Sequence, residues 1–208
     1  MKIYFDNAAT TPVAPEVIEV MTDALGEIYG NPSSIHAHGR KARAAIEGAR
    51  KTVANIIGAS IGEVFFTSCG TESNNMALKC SVRDLGVERI ITSKIEHHAI
   101  THTVETIRKT FGTEIVFVDL DHFGRPSFEH LSKLLDSSEK KTLVSLIHAN
   151  NEIGTMINLK KVGELCKKTG ALFHTDTVQT MGYFPINVEE MNINFPVSYT
   201  HLTLPTKA

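Results

Sequence analysis

Leu143-Val144-Ser145-Leu146-Ile147-His148 and Ala171-Leu172-Phe173-His174-Thr175 are short, nearly continuous apolar runs. Between them Leu159, Val162 and Leu165 line one helical face, and Gly170 stands where a left-handed cap closes a helix. The runs lack the period-two alternation of a half-exposed strand, so they read as strands covered on both faces. A helix joining two such strands returns the chain to the same end of the sheet, which makes the pair parallel.

Working outward, the same alternation recurs upstream. Residues 89–93 and 114–119 read as strands. Ile100, Val104, Ile107 and Phe111 mark the helical face between them, and Gly112 stops it. A turn at residues 121–125 leads into another helix. Residues 64–67 read as a short buried strand and residues 72–85 as a helix ended by Gly86. From His38 to Ile57, apolar positions recur at three- and four-residue spacing before Gly58, and a first helix opens at Pro15 and runs to about Tyr29. The expected fold is α/β: an open, doubly wound, mostly parallel sheet with right-handed crossovers, its ligand crevice outside the carboxyl ends of the strands.

Composition narrows the function. The chain has 208 residues, 42% hydrophobic and 21% charged, and a net charge of −2 with no basic cluster, which disfavours a nucleic-acid partner. Its apolar runs fall far short of the ~20 residues of a bilayer helix, and Met1-Lys2-Ile3-Tyr4-Phe5-Asp6 lacks a signal-peptide core, so a cytoplasmic protein without membrane attachment is expected. Three cysteines without a CxxC pair argue for reduced thiols, with packing roles for Cys69 and Cys166. Ten histidines, with His98 and His102 four apart, motivate a metal-dependent hydrolase, but HExxH is absent and the other histidines are scattered. No metal site is expected.

Four junctions hold polar clusters. Residues 63–67 run into Ser68-Cys69-Gly70-Thr71-Glu72, where the free N–H groups of a helix start suit a phosphate; an ordinary cap by Thr71 explains the same residues. Neither GxGxxG nor GxxxxGK[ST] is present, which disfavours a nucleotide. After residues 90–93 comes Lys94-Ile95-Glu96-His97-His98, where His97 could stack on an aromatic ligand, relay protons, or be a surface residue near a helix start. Ala149-Asn150-Asn151-Glu152-Ile153-Gly154 offers amides to a ligand or to its own turn. At the fourth junction Asp176 ends a strand, with Gln179 close behind. A desolvated carboxylate needs a partner, and a ring-nitrogen cation at ~4 Å would gain roughly 4 kcal/mol at an effective dielectric of 20. A pyridinium fits; a turn-capping role is the plainer alternative.

Jointly, Tyr4-Phe5-Asp6-Asn7-Ala8-Ala9-Thr10-Thr11-Pro12, Gly30-Asn31-Pro32-Ser33-Ser34, Phe66-Thr67-Ser68-Cys69-Gly70-Thr71-Glu72-Ser73-Asn74, Glu96-His97, Asn150-Asn151-Glu152-Ile153-Gly154 and His174-Thr175-Asp176-Thr177-Val178-Gln179 resemble the cysteine desulfurases of the NifS/IscS type, within the class V pyridoxal-phosphate enzymes of aspartate aminotransferase-like fold. The resemblance implies a truncated large domain of that fold. It implies that Gly70 and Thr71 bind the phosphate of pyridoxal 5'-phosphate, that His97 stacks on the ring, that Asn151 and Gln179 contact its phenolic oxygen, and that Asp176 pairs with the protonated ring nitrogen. The implied reaction takes sulfur from L-cysteine, leaves alanine, and passes a persulfide to sulfur-acceptor or iron–sulfur scaffold proteins, in a homodimer. Selenocysteine lyase and a noncatalytic coenzyme-binding fragment are the alternatives.

The chain also departs from that pattern. Leu202, after His201, stands where a Ser-x-His-Lys motif places the Schiff-base lysine, Lys207 is the only later lysine, and the family's nucleophilic cysteine would lie beyond residue 208. The expected organisation is an N-terminal arm at residues 1–14, which packs with the small domain in the family, a truncated coenzyme-binding domain at residues 15–195, and a tail at residues 196–208 that reads as foreign. An inactive chain is expected.

Overall fold

The computed structural model describes residues 3–199. Among them, five parallel strands form one sheet: β1 (Arg89–Thr92), β2 (Glu114–Phe117), β3 (Thr142–Ser145), β4 (Leu172–Asp176) and β5 (Phe195–Val197), in the order β2-β1-β3-β4-β5. The register sets Ile91 beside Val144, Val144 beside Phe173, and His174 beside Phe195. Six α-helices, α1 (Pro15–Glu27), α2 (Ala37–Ile57), α3 (Gly70–Arg83), α4 (His98–Phe111), α5 (Phe128–Asp136) and α6 (Leu159–Thr169), accompany the sheet.

Strand periodicity divides the core in two. Ile91, Val144 and Phe173 point to one face and pack with Leu131 and Leu135 of α5 and Val162 and Cys166 of α6. Ile90 and Leu143 point to the other and pack with Leu78 of α3 and Ile100, Val104 and Ile107 of α4. β1 and β3 are buried along their whole length, as the continuous apolar runs required. Gly58, Gly112 and Gly170 cap their helices at φ 69°, 68° and 73°, left-handed values that glycine adopts without a Cβ penalty.

Strand order sets where a ligand belongs. β1 and β3 are neighbours, and the crossover that leaves β1 runs outward to β2 while the one that leaves β3 runs the other way to β4, so a crevice opens above the carboxyl ends of β1 and β3.

Two local expectations are corrected. Residues 64–67 are extended but join no strand ladder among the described residues; they follow a short 3₁₀ turn, Ile61–Glu63, and leave Phe65 and Phe66 largely exposed. Their apolar content suggested burial, but a strand exists only where a neighbour accepts its hydrogen bonds. The N-cap of α3 is Cys69 rather than Thr71. β5 includes Pro196, which is compatible with an edge because Val197 O, accepting from Thr177, faces β4 and the adjacent proline nitrogen faces away. His201, Leu202 and Lys207, and the tail from residue 200 onward, lie outside the described residues.

Candidate active site

Local turns bring the polar side chains to the crevice. β4 ends on Asp176, 4% exposed, whose Oδ1 accepts from Val178 N (3.0 Å) and Oδ2 from Asn74 Nδ2 (2.8 Å). Burial pushes this carboxyl up from its ordinary range, opposed by Val178 N–H, Asn74 and the nearby His97. After β1, His97 caps α4, its Nδ1 accepting from Ala99 N at 3.1 Å, so the neutral ring carries its proton on Nε2. After β3, the neighbouring asparagines divide the work. Asn150 serves the turn, donating to Ile95 O (2.6 Å) and accepting from Glu152 N and Ile153 N, while Asn151 lines the crevice. Gln179 Nε2 donates to Ala8 O at 3.0 Å, tying the β4 junction to the N-terminal arm.

Gly70, Thr71, His97, Asn151, Asp176 and Gln179, expected from sequence on separate loops, all line one cleft of about 430 Å³. Residues 7–11 of the arm line it as well. Three features fit an anionic ligand. The α3 N-terminus opens into the cleft without a side-chain cap, leaving N–H groups at its positive end. A Cβ added at Gly70 would lie 3.3 Å from Val178 Cγ2, so glycine keeps this corner open. Thr11 Oγ1 is buried on the cleft wall with no partner.

Sequence reasoning missed several participants. Asn74 follows Gly70 and Thr71 at the four- and three-residue spacing of one helix face, a signal that was present. Glu96 is 7% exposed; Ser93 Oγ donates to its Oε1 at 2.5 Å and its Oε2 has no partner. Burial pushes Glu96 up to about 8, so it is largely neutral at pH 7 and adds little negative charge beside Asp176. Cys69 also differs from expectation. It is exposed on the cleft rim, and the nearby Glu72 backbone amide and the Ser68 hydroxyl lower its thiol, whereas Cys166 is buried and pushed up to about 12. A helix N-terminus projects its cap residue outward, which overrides a small thiol's tendency to pack. His98 and His102 lie with ring centroids 5.5 Å apart on α4.

The sequence profile of the class V aminotransferases matches residues 3–204. The chain belongs to the class V aminotransferase family. The cysteine desulfurase IscS of Dictyoglomus turgidum is 45% identical over 195 residues, which are 93% of this chain and 49% of that protein. A solved NifS-like protein superposes with a TM-score of 0.90 at 38% identity, covering 97% of this chain and 55% of its own. SspA, solved in complex with cysteine, superposes at 0.87 with 32% identity over 95% of this chain and 57% of its own. The chain thus spans about half the length of the relatives it matches. Class V aminotransferases are pyridoxal-phosphate enzymes, and the open parallel sheet found here is that of the NifS-like structures. No helix among the described residues is long and apolar enough to cross a membrane.

Proposed function

We propose that this class V chain is the coenzyme-binding portion of a cysteine desulfurase, holding pyridoxal phosphate noncovalently in the cleft above β1, β3 and β4. The observation that carries the reading is the convergence of three strand-end junctions and the uncapped α3 N-terminus on one cleft, with a buried carboxylate at its base. Pyridoxal phosphate supplies an electron sink for negative charge developing at an amino acid's α-carbon, most effectively when its ring nitrogen is protonated.

The chain's residues take the following parts. The Gly70 and Thr71 amides hold the phosphate, where the helix dipole favours an anion. His97, fixed in orientation by its bond to Ala99 N, covers one face of the ring. Asn151 and Gln179 donate to the phenolic oxygen, and Asp176 keeps the ring nitrogen protonated. Residues 7–11 of the arm narrow the cleft opposite α3.

On this reading the substrate is L-cysteine, the product alanine, and the sulfur leaves as a persulfide for cluster assembly or thiolation. Leu202 favours a second, narrower reading: a chain that binds coenzyme and does no chemistry. Its side chain cannot form an imine or carry a proton, and a positioned proton-transfer group is typically worth ~10²–10⁴ in rate.

The test is to incubate the chain with pyridoxal phosphate, measure uptake, treat with borohydride, and assay sulfide and alanine after adding L-cysteine. One coenzyme per chain, removable by dialysis and fixed to no unique lysine, without sulfide release, is the expected outcome. No uptake contradicts the assignment, and sulfide release at an enzyme-like rate contradicts the disabling role of Leu202.

A further inference from the structure

Beneath the cleft, Asp176 ends a line of buried polar side chains drawn from three elements. Asn74 Nδ2 on α3 donates to Asp176 Oδ2 (2.8 Å), Asn74 Oδ1 lies 3.1 Å from His174 Nε2 on β4, and His174 Nδ1 lies 2.9 Å from Ser145 Oγ on β3. Asn74 is 1% exposed, and His174 and Ser145 are fully buried, so each donor must find its acceptor within the line.

With His174 neutral and any Asp176 proton on the oxygen facing Asn74, counting donors leaves two consistent polarities. In the first, Asp176 is ionised and accepts from the Asn74 amide; Asn74 Oδ1 then accepts from His174 Nε2–H, and His174 Nδ1 accepts from the Ser145 hydroxyl. In the second, Asp176 is protonated and every donor and acceptor is exchanged: the Asn74 amide is turned over, and the His174 proton sits on Nδ1 and is donated to Ser145 Oγ. The structure has the first arrangement at Asn74, and Val178 N–H donates to the other carboxylate oxygen.

We propose that Asn74 and His174 are positioning residues that lock Asp176 in its ionised, accepting form, and that the tautomer of His174 records that state. The proposal rests on the reading that Asp176 faces a coenzyme ring nitrogen, and explains how a carboxylate so deeply buried stays charged before the coenzyme arrives. The titratable groups facing Asp176 are Glu96 and His97 from the β1–α4 junction and His174 from its own strand. Burial leaves Glu96 largely neutral at pH 7 and pushes His174 down to about 3, so neither competes with the lock by taking on charge.

The test uses the chain without coenzyme. In ¹⁵N NMR of histidine-labelled protein, in solution or as a sedimented solid, the His174 signals are those lost in His174→Gln. The proposal expects a proton on Nε2 and a bare Nδ1 through neutral pH; a proton on Nδ1, or an imidazolium, overturns it. In ¹³C carboxyl spectra, Asn74→Leu is expected to raise the Asp176 titration by about 1–2 pH units, the equivalent of one hydrogen bond to a charged group. His174→Leu should raise it too, whereas His174→Gln, whose amide can still donate to Asn74, should largely restore it. An Asp176 titration unmoved by His174→Leu overturns the proposal. Should Asn74→Leu not fold, the wild-type tautomer still decides. Coenzyme uptake is measured separately, so its absence would count against the cofactor assignment while the tautomer upholds or overturns the lock.

Discussion

Glu96, His148 and His174 are buried titratable groups whose effects on stability oppose one another. Glu96 rises from its usual 4.5 to about 8, so the folded chain binds its proton more tightly than the unfolded chain. Its stabilising contribution is complete below pH 4.5 and is lost as pH rises through 8. His148, whose Nδ1 is 2.7 Å from Thr180 Oγ1, falls to about 4 and His174 to about 3, against a usual 6.5. For these, stability is complete above 6.5 and is lost as pH falls through 4 and 3. Urea midpoints measured between pH 4 and 9 should therefore peak near pH 6–7, and Glu96→Gln should flatten the alkaline limb and steepen the acid limb above pH 4.5, where Glu96 opposes the two histidines; an unchanged alkaline limb contradicts the burial argument. Asp176→Asn should weaken pyridoxal phosphate binding by about 30-fold or more, the lower end of the cost of breaking a buried charge pair, read by equilibrium dialysis. The place of Asp176 on the cleft was legible in the sequence because a carboxylate ending an apolar strand must find donors at the strand's carboxyl end, here Val178 N–H and Asn74. His174 and Asn74 were not: their partnership spans 100 positions and exists only once α3 packs on β4.

At the scale of elements, burial separates helices that carry stability from one that does not. Ile100 of α4 is fully buried and Ile18 of α1, a helix with no buried residue, is 53% exposed. Ile100→Ala should cost about 2–5 kcal/mol and Ile18→Ala less than about 0.5 kcal/mol in urea unfolding. Gly163 in α6 is a further test, because an added Cβ would lie 1.7 Å from Met191 O. Gly163→Ala must displace backbone and should destabilise by about 1–3 kcal/mol or more. The helix ends at Gly58, Gly112 and Gly170 were legible because a left-handed cap has one favoured residue, and the buried strands because a parallel sheet requires continuous apolar runs. Residues 64–67 misled for the same reason: Val64, Phe65 and Phe66 have the composition of a strand, and composition says nothing of whether a partner is present.

Across the whole molecule, the 2-1-3-4-5 order places the cleft at its switch point, so the site's location was legible once the alternation of helix and strand was read. The other consequence is an open flank. Residues 64–67 and β5 border an apolar groove of about 320 Å³ whose lining includes Ile56, Val64, Phe66, Met181 and Val197. Among the described residues no strand pairs with the outer side of β5, and an unpaired edge beside apolar surface favours association, so sedimentation velocity should show mass rising with concentration, and a monomer at all concentrations contradicts this. ¹⁵N NMR of ring-labelled pyridoxal phosphate bound to the chain reports whether the proposed Asp176 contact keeps the coenzyme ring nitrogen protonated. A nitrogen protonated at neutral pH that loses its proton in Asp176→Asn is the expected result; a bare nitrogen in the unaltered chain, or protonation indifferent to residue 176, would contradict this role for Asp176.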